Sequence, residues 1–175
     1  MRKMIIATAA SLLVGGAGVL ALATPAFAAG TPVTVTINAG GGLGISAPVG
    51  PVSLATATAS ASAQTVTAQL GPVLVTDLRA GILGWVATAG STDFTGAGAI
   101  PASAEAYTPG APTVVGIATV TPTSLTAMTA GGGTVQTATA VTGVNTAGWN
   151  PSIAVTIPAG AIAGTYSATI THSVS

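Results

Sequence analysis

The chain is organised around the stretch Val73–Gly96, VLVTDLRAGILGWVATAGSTDFTG. Val73 to Thr76 and Leu83 to Thr88 alternate aliphatic with small or hydroxyl side chains, the two-residue period of half-buried strands. Glycines interrupt the run too often for a helix. The segment also gathers scarce residues: Asp77, Arg79, Asp93, Trp85 and Phe94 lie in a chain that is otherwise mostly Ala, Gly, Thr, Val and Ser. Asp77 and Arg79 stand two apart at a strand end, so their side chains share one face. An ion pair, or Asp77 capping a turn, is expected there. Asp93, in Ser91-Thr92-Asp93-Phe94, suits an Asx-type turn.

Trp85 has a counterpart in Trp149. Each follows a glycine and leads into small and β-branched residues, Val86-Ala87-Thr88 and Ile153-Ala154-Val155. Two roles are open to the pair: plugs in a core, or exposed rings that stack on the sugars of a cell-wall polymer.

Outward from this segment the two-residue period recurs. Strands are expected at Val33–Ile37, ended by Gly40-Gly41-Gly42, and at Leu43–Ser46 and Val52–Thr58. Gln64–Leu70 and Val73–Thr76 form two strands or one bent strand around Gly71-Pro72, where proline interrupts a ladder. Ala104–Tyr107, Thr113–Val120, Thr134–Ala138 and Ser152–Ile157 follow, and Thr165–Val174 is the longest. Thr121–Thr129 reads as a loop or a short strand. About ten short strands at this spacing predict an all-β fold, an antiparallel β-sandwich. With so many small residues, Trp85, Trp149, Phe94, Tyr107, Tyr166 and Leu83 should fill the space between sheets.

The first residues read as a secretory signal. Arg2 and Lys3 precede an apolar run from Met4 to Leu22, and Pro25 and Ala26-Phe27-Ala28 complete a cleavage pattern. The expected organisation is a signal peptide, 1–28, and one domain, 29–175. The rest of the chain keeps Arg79 as its one Lys or Arg, against Asp77, Asp93 and Glu105. Phosphate contacts need several cations, so nucleic acid is not an expected partner, and no membrane association is expected after signal removal. The chain has no cysteine, so export here comes without disulfides.

Few residues are available for chemistry. His172 is the one imidazole, no Ser lies in a Gly-x-Ser-x-Gly setting, and the three carboxylates form no motif. The Gly40-Gly41-Gly42 and Gly131-Gly132-Gly133 runs lack the following Gly-Lys-Ser/Thr of a phosphate loop. No enzyme activity, metal or cofactor is expected, and His172 reads as a strand residue.

The order of features resembles the WxL domain, a secreted module that attaches non-covalently to the Gram-positive cell wall. The matching residues are Val75-Thr76-Asp77-Leu78-Arg79, Gly84-Trp85-Val86-Ala87-Thr88 and Ser91-Thr92-Asp93-Phe94. The closing Gly164-Thr165-Tyr166-Ser167-Ala168-Thr169-Ile170-Thr171-His172-Ser173-Val174 is similar to that family's final strand. Ala87 stands where the first W-x-L has Leu, and His172 where the second has Trp. The resemblance implies an immunoglobulin-like sandwich and a secreted, wall-associated protein that binds peptidoglycan or an associated glycan. Trp85, Trp149, Asp77, Arg79, Asp93 and His172 are the candidate surface-binding or anchoring residues. The alternative is a subunit that assembles with itself, or with other surface proteins, into a layer or filament. Its motives are the Thr-rich edges and near absence of charge.

Overall fold

The computed structural model describes residues 33–175; the expected signal peptide lies outside the described residues. The chain divides into a unit ending at Thr36 and a second, Ile37–Ser175, which holds every sheet. The fold is all-β and antiparallel. The strands are β1 (Leu43–Ser46), β2 (Gln64–Gln69), β3 (Val73–Asp77), β4 (Trp85–Ser91), β5 (Phe94–Gly96) and β6 (Ala99–Ile100). A 3₁₀ turn at Ala102–Ala104 leads to β7 (Glu105–Thr108), β8 (Thr113–Pro122), β9 (Gly133–Trp149), β10 (Ser152–Ile157), β11 (Tyr166–Ser167) and β12 (Ile170–Val174).

The largest sheet is built on β9. β8 runs along one edge of it, from Thr113 opposite Gly148 to Pro122 opposite Gln136. The other edge is shared: β4 pairs with Gly133–Ala138, and β3 with Asn145–Trp149. β3 and β4 therefore lie end to end in one row, and Leu78–Gly84 is an excursion between them. β1 pairs with β3 and β12 with β4. A second sheet has the order β2-β10-β7, and a small third sheet the order β11-β5-β6.

The first two sheets enclose a core of Val73, Val75, Val135 and Ala147 from one side and Val66, Ile153 and Val155 from the other. Trp85, Tyr107 and Trp149 bridge the small side chains. Large rings are needed here because Ala and Val alone would leave voids, each with lost dispersion contacts.

Several expectations are corrected. Val33–Ile37 carries no ladder, and neither does Val52–Thr58, which belongs to an irregular strap over Ala47–Ser60. The two-residue period supplies a face for a sheet but no partner, and no described strand pairs with either segment. Thr134–Ala138 is only the start of β9, which is the longest strand. Ala140 and Gly143, with φ of 49° and 72°, bend it between its two partners. That kinked backbone hides the continuity from a simple alternation rule. The expected final strand divides into β11 and β12, which enter different sheets. Leu83 lies outside the strand, 69% exposed, and so does not fill the core.

Candidate functional site

The end of β3, the start of β4 and the middle of β9 meet in a buried polar knot. The Arg79 guanidinium grips Asp77 through two parallel bonds, Nε to Oδ1 at 2.9 Å and Nη2 to Oδ2 at 2.9 Å. Arg79 N–H also donates to Asp77 Oδ1 at 3.1 Å. Asp77 is 2% exposed and Arg79 29% at its side chain, so the carboxylate is dry and its cation reaches water. The hydrogen-bonded guanidinium holds the Asp77 carboxyl below its usual range, overcoming burial, which acts the other way.

Asn145 extends the knot inward. Its Nδ2 donates to Asp77 Oδ2 at 3.4 Å, and its Oδ1 accepts from Trp85 Nε1 at 3.1 Å. The aromatic anchor, the carboxylate and the arginine are thus one hydrogen-bonded unit spanning three strands. Asn145 was not among the residues singled out from sequence. It lies in a Thr/Gly/Ala-rich run, and only the register that sets it opposite Asp77 reveals its part.

The knot shapes the excursion Leu78–Gly84. Arg79 Nη2 also donates to the carbonyls of Gly84 at 3.0 Å and Leu83 at 3.3 Å, and Gly143 N–H donates to Gly81 O at 2.8 Å. Ala80 takes a left-handed φ of 54° to make the turn. The loop so pinned presents Ile82 and Leu83 to solvent, 81% and 69% exposed. It lies against the bend of β9, beside exposed Val144, while Ile117 opposite Thr142 adds another exposed aliphatic side chain. A buried ion pair therefore fixes an apolar, solvent-facing loop. Two adjacent, highly exposed aliphatic side chains on a pinned loop make it a candidate contact site.

Trp149 is 4% exposed and Trp85 2%, so neither presents a ring to solvent. Trp149 Nε1 donates to Tyr107 OH at 3.2 Å, and Tyr107 OH lies 2.9 Å from His172 Nε2. Tyr107 OH accepts from Trp149 and donates to Nε2 when the imidazole is neutral and carries its proton on Nδ1. Burial pushes His172 below the ordinary imidazole value and Tyr107 up to about 12. Asp93 does not close a local Asx turn. Its Oδ1 accepts from Ala102 N–H at 2.8 Å and ties the β4–β5 corner to the 3₁₀ turn.

Glu105 is fully buried, although the sequence marks it only as one of three carboxylates. Its Oε1 lies 2.9 Å from Ser91 Oγ, which is also 3.1 Å from Thr92 O, and Oε2 has no partner. Burial pushes this carboxyl up; the Ser91 bond opposes the shift, and the Asp93 charge adds to it. A protonated Glu105 that donates to Ser91 Oγ frees the serine proton for Thr92 O. Among the described residues no group of three or more His, Cys, Asp or Glu is placed to hold a metal ion, and no helix is long and apolar enough to cross a membrane.

Comparison of the chain with protein-family models, with curated proteins and with solved structures finds no match.

Proposed function

We propose that this chain is a secreted, non-enzymatic cell-surface protein held non-covalently at the bacterial cell wall, through peptidoglycan or an associated glycan. The observation that carries the reading is the Asp77–Arg79–Asn145–Trp85 knot. Asp77, Arg79 and Trp85, three of the residues on which the WxL resemblance rests, are joined there through Asn145, and Arg79 also holds the Ile82–Leu83 loop. The C–H faces of sugars and the short apolar side chains of stem peptides suit an uncharged aliphatic loop. The titratable groups support a holding role: Asp77 is bound to Arg79, Asp93 to Ala102, Glu105 to Ser91 and His172 to Tyr107.

The test is co-sedimentation of the purified chain with isolated cell walls. The native chain is expected in the pellet, and Ile82→Ser with Leu83→Ser is expected to lower its retention while the melting temperature stays near the native value. No retention of the native chain sinks wall association, and undiminished retention of the double variant sinks the loop as its contact. A second reading, a self-assembling surface subunit, is favoured by the edge of β2, unpaired among the described residues, and by the exposed alternation before β1.

A further inference from the structure

Between β2 and β10 on one side and β11 and β12 on the other, the sandwich is open. A groove of about 1150 Å³ runs there, walled by Val66, Val155, Phe94 and Ile170 and by the Ala47–Ser60 strap, whose Leu54 and Ala57 pack on the core. Among the described residues that line it, His172 is the one Asp, Glu, Lys, Arg or His. β2 forms one boundary and is an edge strand, paired only with β10 among the described residues.

The hydrogen-bond parity of that edge follows from the ladder. Leu70 N–H donates to Pro151 O, so Ala68, Val66 and Gln64 turn their backbone groups toward β10. Thr65, Thr67 and Gln69 then turn theirs to the open edge, and their side chains are exposed on the outer face. An incoming strand would need hydroxyl side chains outside, aliphatic ones inside beside Val66, and no charge.

Thr31-Pro32-Val33-Thr34-Val35-Thr36-Ile37 has that composition. Val33, Val35 and Ile37 are 89%, 85% and 85% exposed, and the segment carries no ladder. Five residues of strand span about 17 Å, enough to pair with five of the six residues of β2. Set antiparallel with Val35 opposite Val66, the segment puts Thr34 and Thr36 opposite Thr67 and Thr65. These are cross-strand threonine pairs of a stabilising kind. Val33 and Ile37 then fall opposite Ala68 and Gln64 and face the groove. There is no charge on the segment or on β2 to oppose the pairing.

We propose that Val33–Ile37 of one copy adds as a strand to the β2 edge of a second copy, fills its groove, and so links copies head to tail. The inference rests on the self-assembly reading and names its partner as another molecule of this chain. Strand addition of this type draws affinity from main-chain bonds and register from alternate side chains. Because donor and acceptor surfaces differ, the contact is heterologous and propagates into a filament unless it closes into a ring.

The chain has no cysteine, so introduced thiols report the register directly. Val33 and Ala68 would form a non-hydrogen-bonded pair, with Cα atoms about 4.5 Å apart, within disulfide reach. Two full-length secreted chains, one Val33→Cys and one Ala68→Cys, are mixed under mild oxidation. A disulfide-linked heterodimer is expected. Val33→Cys with Thr119→Cys, an exposed position on β8, should give none. Val35→Asp, on an exposed side chain outside the sheets, is expected to abolish both the heterodimer and any concentration-dependent polymer seen by light scattering. Equal cross-linking of the two pairs overturns the proposal. So does a disulfide that closes within one chain when Val33→Cys and Ala68→Cys are combined, since the segment would then serve its own groove. Polymers without the Val33–Ala68 link overturn the strand exchange and leave self-assembly standing; a monomer at high concentration with no link overturns both.

Discussion

Replacing Arg79 with Met keeps the aliphatic stem and removes the guanidinium. Asp77, 2% exposed, would lose both 2.9 Å bonds and keep only Arg79 N–H at 3.1 Å and the Asn145 amide at 3.4 Å. Stripping the partner from a fully buried ion pair costs about 3–5 kcal/mol, and from an exposed one about 0–1 kcal/mol. Here the carboxylate is dry and the cation is 29% exposed, which places the expected loss between those limits, at about 2–3 kcal/mol. For a domain of this size that lowers the melting temperature by about 10 °C. Arg79 depresses the Asp77 pKa, so its stabilisation is present above the ordinary carboxyl value and lost as pH falls through the lower folded value. The gap between native and variant should therefore be full at neutral pH and close progressively below about pH 4. Urea unfolding at several pH values measures it. Hydrogen exchange at Gly143, whose N–H reaches Gly81 O across the excursion, should quicken in the variant. A loss below about 0.5 kcal/mol, of the size seen for surface substitutions, or a gap independent of pH, would refute the argument.

Glu105→Gln should stabilise the fold increasingly as pH rises. Burial raises the folded-state pKa, so the native chain is most stable below the ordinary carboxyl value and loses stability as pH climbs through the raised one. Glutamine does not ionise, and identical pH profiles of urea midpoint for the two chains would count against a protonated Glu105. Gly116→Ala should cost about 1–3 kcal/mol: φ is 93° and the added Cβ would lie 2.5 Å from Val144 O, across the ladder of β8 and β9. An unchanged melting temperature would show that this part of the ladder shifts freely.

Much of the fold was legible because alternation is a local signal. Val73-Leu74-Val75-Thr76 and Ser152–Ile157 become strands on the expected residues, and Asp77 and Arg79 pair as their shared face implies. Asp93 was harder to read, because its partner Ala102 lies beyond two short strands that the sequence does not announce. Asn145 and Glu105 gain their roles from register and burial, which depend on strands far away in the chain. Val33–Ile37 has the pattern of a strand without a partner, since alternation specifies a face and leaves the neighbour open.

The position of β9 has a consequence for the order in which the molecule can form. β3, β4 and β8 all use its edges, yet β9 begins only at Gly133. Until that residue is available, the first three-quarters of the chain cannot assemble the principal sheet. The last ladder waits longer still, because Ser175 exchanges both backbone bonds with Val86. Pairings between such distant segments fold slowly. In this topology closure comes last, and the principal sheet is completed only once both ends of β9 and the final strand are present.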